Sequence, residues 1–255
     1  MRQWAGVWAG IVLLTGCQVM PPGSQSGSTV DPHAVSLMSA GFEWSLVRPM
    51  REPATPLRLY IEGNGAASAL TLGRRLSLQD AGSFYARLPC VRLAESGECD
   101  PRYLTSQRDA TEQAEAMARM LGQFKRQQQA QVLEVVAMGE VASLMLKVAA
   151  LGGDIDHLHT IDGTLSPALW ARQLKQPAPQ TSDPLIYYRQ LSRQSQTHWI
   201  SVGSGGLKEQ LAGSYKATLK HSPCVRLRIA RTVNRNDDWL KVWPQLREDR
   251  FSCKG

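Results

Sequence analysis

The sequence has no N-terminal apolar run long enough to cross a bilayer. Ala5 to Leu14 falls well short of the roughly 20 residues that a spanning helix needs. No Cys-x-x-Cys occurs, so the commonest paired-thiol spacing of metal sites is missing. The histidines show no ligand spacing except in His157-x-His159, which alternates on a predicted strand. Two ligands without a third do not make a metal centre, and the pair reads as strand packing. There is no long basic run either. The net charge of +7 is spread along the chain as a solvated basic surface, which argues against nucleic acid as a partner. No internal repeat, second domain or cofactor motif breaks the body, and no cofactor or metal is expected.

What is present begins with an export signal. Arg2 precedes the short apolar run, which ends in Leu14-Thr15-Gly16-Cys17. A positive start followed by a short apolar segment is a secretory signal. Its last four residues resemble the bacterial lipobox, an aliphatic residue and two small ones before a cysteine. The resemblance implies a signal peptide over 1–16, cleavage before Cys17, and acylation of that thiol. Acyl chains anchor without spanning, each buried CH₂ contributing about 0.8 kcal/mol. The lipobox pattern sends chains with Asp after the cysteine to the inner membrane. Gln18 therefore implies the outer membrane, facing the periplasm. The Pro/Gly/Ser-rich stretch behind it gives a lipidated flexible tether over 17–38, with a domain over 39–255.

Apolar content of 43% supports a buried core in a chain of 255 residues. Of five cysteines, Cys17 is taken by lipid, leaving Cys90, Cys99, Cys224 and Cys253. An even remainder in an oxidising compartment implies disulfides, and four cysteines allow three pairings. The favoured one joins Cys90 to Cys99 across a short loop and Cys224 to Cys253, pinning the C-terminal tail.

Periodicity organises the body. Phe42–Val47 and Leu57–Glu62 alternate as strands, and Ser83–Leu88 is a third. Asp109-Ala-Thr-Glu112 has capping-box spacing before a helix whose Met117, Met120, Leu121 and Phe124 share one face. Val132–Met138 is a near-continuous apolar strand of the kind buried in a parallel sheet. Glu140–Leu151 is an apolar helix, closed by Gly152-Gly153. Strands over 156–162, 199–202 and 225–230 alternate with helical stretches over 167–174, 184–191 and 207–219, and a last helix starts at Trp239. This alternation predicts a single α/β domain, a mostly parallel sheet with helices on both faces and an early antiparallel edge.

The order of motifs resembles the α/β-hydrolase fold, and more narrowly a group of bacterial hydrolase-like lipoproteins. Tyr60-Ile61-Glu62-Gly63-Asn64-Gly65 is similar to their strand and oxyanion loop. Leu88-Pro89-Cys90 with Cys99-Asp100 is similar to their cysteine-bounded loop, and Val135–Ala150 to their strand, nucleophile elbow and helix. Thr160–Leu165 resembles the strand and turn that follow, and Asp238-Trp239 with Trp243-Pro244 the segment after the catalytic histidine.

The resemblance also says where a serine, an acid and a histidine should stand. Gly139 occupies the serine place, flanked by Ala137 and Val141 instead of glycines. The acid place holds Gly203-Ser204-Gly205-Gly206, without a carboxylate. Arg235 is nearest the histidine place, and a guanidinium is no base near neutral pH. Three separate losses imply no catalytic residue and a degenerate fold. The former cleft, lined by Asn64, Gly139, Glu140 and Arg235, would bind an envelope protein, a lipid or a cell-wall fragment. Two alternatives stand beside this. One is an active serine hydrolase with relocated groups, Ser68 or Ser143 with His157, His159 or His198. The other is a passive structural lipoprotein.

Overall fold

A computed structural model describes residues 34–63, 71–92, 99–100, 107–177, 183–193, 196–220, 222–251 and 253, with backbone alone at 92, 99–100 and 107–110. Cys17, Asn64, Ser68 and the side chain of Cys99 lie outside the described residues. The chain divides after Val30, and the second unit, Asp31–Gly255, is compact. The second contains every described element and has its own core, as an independently folding domain does. No helix among the described residues is long and apolar enough to cross a membrane.

The first half of this unit holds β1 (Ala34–Ser39), β2 (Phe42–Val47), β3 (Leu57–Glu62), α1 (Leu72–Gln79), β4 (Phe84–Arg87), β5 (Cys90–Arg92), β6 (Cys99–Asp100) and α2 (Gln107–Gln127). The second half alternates strictly. β7 (Leu133–Met138), α3 (Val141–Ala150), β8 (His157–Ile161) and α4 (Pro167–Gln173) lead to a 3₁₀ turn over Pro184–Tyr187. α5 (Tyr188–Arg193), β9 (Thr197–Gly203), α6 (Leu207–Thr218), β10 (Val225–Ala230) and α7 (Trp239–Leu246) complete it.

All these strands form one sheet, ordered β10-β9-β8-β7-β3-β4-β2-β5-β6, with β1 on β2. From β4 through β3 to β10 every pairing is parallel, while β1, β2, β5 and β6 pair antiparallel. The predicted parallel sheet and antiparallel edge are therefore both present. Alternate residues of the central strands feed two cores. Leu59, Ile61, Val135 and Ala137 meet α2 and α3 on one face, where Met117, Met120, Leu121 and Phe124 are all buried as their spacing predicts. Tyr60, Val136, Met138 and Ile161 meet Leu76 of α1 and Trp239 and Trp243 of α7 on the other.

Three elements differ from the sequence reading. The first described strand, β1, begins at Ala34, inside the stretch expected as tether, and closes a hairpin on β2. The connecting residues Ala40 (φ 50°) and Gly41 (φ 81°) both sit in the left-handed region that a two-residue hairpin turn demands. Alanine there gives no turn signal. Helix α2 starts at Gln107, which puts the capping-box spacing at Asp109 within the helix. Helix α1 has no side-chain cap at Thr71, and its N-terminus is held from outside by a carboxylate of β3.

A charged cluster lies inside the second face, near the start of the strands. Glu134 of β7 is fully buried, and Arg58 of β3 donates to both its oxygens, at 2.9 and 3.2 Å. Arg58 also reaches Asp80 at 2.5 Å, and Arg250 of the C-terminal tail reaches Glu134 at 3.0 Å. Tyr60 donates to Asp80 at 3.2 Å and accepts from the Trp243 indole at 2.7 Å. His159 lies 3.3 Å from Glu134, yet burial first and the nearby arginines next push its pKa well below the usual range, so it is a neutral partner. The tail that brings Arg250 is pinned by the Cys224–Cys253 disulfide, as expected. Closing a loop of 29 residues contributes about 3–4 kcal/mol in the chain-entropy account. Cys90 is disulfide-bonded too.

His198 of β9 is enclosed on the opposite face. Its Nε2 lies 3.2 Å from the Thr160 hydroxyl, its ring meets Tyr215 of α6, and its Nδ1 has no partner among the described residues. Burial lowers its pKa to about 3. The unfolded chain binds this proton near pH 6.5 and the native domain does not. Stability is thus fully present above pH 6.5 and falls as pH drops towards the folded value, by about 1.4 kcal/mol per pH unit. A His198→Leu variant is expected to lose one proton's worth of that slope between about pH 4 and pH 6, read from urea unfolding at several pH values. An unchanged slope would mean that His198 is protonated in the folded state.

Candidate functional site

The carboxyl ends of β3, β7, β8 and β9 converge at one rim of the sheet, where open α/β sheets hold ligands. The chain leaves β7 at Met138, turns at Gly139 with φ +58°, and enters α3 at Val141. A strand-to-helix turn this tight needs a left-handed residue at its tip, and glycine adopts it without strain. The Gly139 carbonyl accepts from Thr164 at 2.8 Å, and its N–H donates to Ile161 at 3.3 Å. The elbow is thereby tied to the end of β8. A Cβ added at Gly139 would meet nothing within 4 Å, so the space above the tip is open.

That space is a cleft of 490 Å³ lined by Glu62, Gly63, Gly139, Glu140, Asp162 and Lys208 among others. An adjoining pocket of 300 Å³ shares Asp162, Lys208 and Asn236 with it and reaches Gly203, Ser204 and Arg235. The structure therefore brings Gly139 and Glu140 to one wall and Arg235 to the neighbouring pocket. Glu140 leans across the elbow: a Cβ at Gly63 would overlap its carboxylate. Arg235 starts the short turn ahead of α7, where its N–H donates to Asp238 at 3.0 Å.

Two carboxylates that the sequence reading did not place in the site shape this rim. Asp162 (φ +47°) accepts from the Gly203 N–H and the Trp239 indole, each at 3.0 Å, with the Lys208 ammonium 3.6 Å away. It thus links the ends of β8 and β9 to α6 and α7. Glu62 accepts from the Gly73 N–H at 2.9 Å and from the Thr71 and Tyr85 hydroxyls, fixing the start of α1. The Asp162-Gly163 dipeptide behind a strand marks a turn. Nothing local shows that its side chain would be consumed by partners 41 and 77 residues away.

The places expected for an acid and a base hold other groups. After β9, Gly205 (φ +78°) donates its N–H at 2.5 Å to Glu209, a first-turn residue of α6, and Gly206 caps that helix. No histidine among the described residues lines either pocket. His157 sits at the far end of β8, 2.6 Å from the Thr197 hydroxyl, while His159 and His198 are enclosed on opposite faces. The Ser143 hydroxyl donates to the Glu140 carbonyl at 3.0 Å within α3. Among the described residues no three His, Cys, Asp or Glu side chains gather as a metal site requires.

No family model matches the chain, and no curated protein matches it in sequence. Solved structures do match. An acylaminoacyl peptidase from Pyrococcus horikoshii superposes with a TM-score of 0.60 at 13% identity, over 85% of this chain. The chain spans 40% of that peptidase's length. Est1E from Butyrivibrio proteoclasticus gives 0.57 at 11% identity, over 84% of this chain and 95% of the other. An alpha/beta hydrolase from Sphaerobacter thermophilus gives 0.51 at 15%, over 84% of this chain and all of the other. Identities this low carry architecture and no chemistry, and the architecture of this chain is the α/β-hydrolase fold.

Proposed function

We propose that this chain is a lipid-anchored lipoprotein of the bacterial envelope, with a degenerate hydrolase fold whose rim cleft binds a partner without catalysis. The observation that carries the reading is Gly139. It stands at the tip of the elbow in the conformation that would hold a nucleophile clear of the sheet, and it has no side chain to attack with. Acyl transfer further needs a base within hydrogen-bond reach of the nucleophile. No histidine lines the cleft among the described residues. It also needs donors aimed at a developing oxyanion. Here the Glu140 carboxylate packs against Gly63, bringing negative charge to the place where negative charge would have to form. The rim holds an open cleft, and the adjoining pocket presents Arg235, which has no ion pair among the described residues, to a ligand. The lipobox-like residues before Cys17 support acylation there, and Gln18 supports an outer-membrane address facing the periplasm. An envelope protein, a lipid or a cell-wall fragment fits the cleft's setting.

The test is chemical. The oxidised, folded domain is exposed to a serine-directed fluorophosphonate and, in parallel, to short and long acyl esters. The expected result is neither labelling nor turnover. Labelling that disappears on one serine-to-alanine change, with Ser143 and Ser68 tried first, would replace this reading with that of an active hydrolase whose nucleophile has moved.

A further inference from the structure

The net charge is not evenly placed. From Leu207 to Gly255 the chain carries eleven Lys and Arg against five Asp and Glu, which accounts for six of its seven net positive charges. Much of this segment's positive charge is already neutralised. Lys208 faces Asp162, Arg228 Asp249, Lys241 Asp238, Arg247 Glu248, and Arg250 Glu134. Lys216, Lys220 and Arg226 are exposed and have no ion pair among the described residues, and all three line one shallow basin of 610 Å³. The basin wraps the outer edge of the sheet. The lysines come from the last turn of α6 and the residues just past it, and Arg226 comes from the edge strand β10.

The basin is built rather than incidental. Pro223 and Val225 of its lining flank Cys224, whose disulfide to Cys253 holds the C-terminal tail beside it. The tail places the Phe251 ring edge-on to Trp199 at 4.7 Å, and the Arg226 guanidinium lies 4.5 Å over Phe251. Ring faces hold a cation without neutralising it, so Arg226 keeps its charge for a partner. The Ser222 hydroxyl, also in the lining, is buried with no hydrogen-bond partner among the described residues. A charged side chain on an edge strand does guard against strand addition, but that role needs Arg226 alone and not the two lysines on a helix.

The geometry points to the Lys216–Lys220–Arg226 basin as a docking face for the phosphate headgroups of an anionic lipid surface. It lies on the edge β10, away from the rim cleft, and does not depend on how that cleft is used. The charge match is direct. Three exposed cations line one basin, and each basic residue near an anionic surface strengthens attachment about five-fold. Of the apolar residues in the lining, Trp199 and Val225 are buried, so attachment rests on the three cations and is salt-sensitive.

The test uses the domain Asp31–Gly255, which lacks Cys17 and any acyl chain. It is sedimented with vesicles of phosphatidylcholine alone or with phosphatidylglycerol added, at low and raised salt. Binding to the phosphatidylglycerol vesicles at low salt is expected. Lys216→Gln, Lys220→Gln and Arg226→Gln should each weaken it about five-fold, and the triple variant about a hundred-fold. Lys175→Gln with Arg193→Gln, exposed cations elsewhere, should leave it unchanged. No binding to phosphatidylglycerol would overturn the proposal. So would an equal loss in the control pair, which would show net charge acting without a face. Circular dichroism confirms that each variant is folded.

Discussion

Replacing Glu134 with alanine is expected to cost about 3–5 kcal/mol of folding stability, a large share of the roughly 5–15 kcal/mol that holds a domain together. Glu134 sits at zero exposure near the start of β7, with Arg58 on both its oxygens and Arg250 on one. Removing it leaves Arg58 in the interior with Asp80 alone as counter-charge, and the His159 imidazole without its neighbour. A buried charge stripped of its partner cannot return to water without opening the structure, which is why loss of one member costs more than the pair is worth. The Arg58→Met, Glu134→Leu double variant should therefore recover much of the loss, since it removes both charges and fills the space. Urea unfolding followed by tryptophan fluorescence gives both numbers. A loss under about 1 kcal/mol for Glu134→Ala would mean that water already reaches this cluster.

The second large effect follows from the proposed anchor. A Cys17→Ala variant is expected to lose acylation altogether and to leave the membrane fraction, with folding unchanged because Cys17 precedes the unit that carries the core. An acyl chain contributes about 0.8 kcal/mol for each CH₂ it buries, so loss of the thiol removes nearly all the anchoring energy at once. Metabolic labelling with palmitate and fractionation of the cells read the two outcomes. Residual association through the basic basin would be washed off by salt, whereas the acylated protein would need detergent. Salt-resistant retention of the Cys17→Ala variant, with labelling unchanged, would place the lipid elsewhere or remove it from the account.

The two variants probe different kinds of information. The signal proposed before Cys17 would be a linear code, open to a local reading. The charge cluster is not. Sequence showed a single glutamate in the apolar run Val132–Met138 and gave no reason for it. Its partners come from positions 58 and 250, brought together by a parallel sheet and by a tail that a disulfide holds down.

The same division runs through the fold and the site. The alternation of strand and helix from Val132 onward was legible because a parallel sheet covered on both faces needs apolar strands and amphipathic helices, and each leaves its own period. β1 and α1 were not, because the hairpin of β1 turns on an alanine at φ 50° and the start of α1 is fixed by Glu62 of another strand. The glycine at the elbow and the arginine ahead of α7 followed from the resemblance, and the pairing of Cys224 with Cys253 was the favoured one of the three that four cysteines allow. That Asp162 would tie together Gly203 and Trp239, that Glu140 would fold over Gly63, and that Lys216, Lys220 and Arg226 would share one basin was decided by tertiary structure alone. Hydrophobic periodicity is written residue by residue, whereas a side chain's polar partners depend on which distant segments the sheet order makes neighbours.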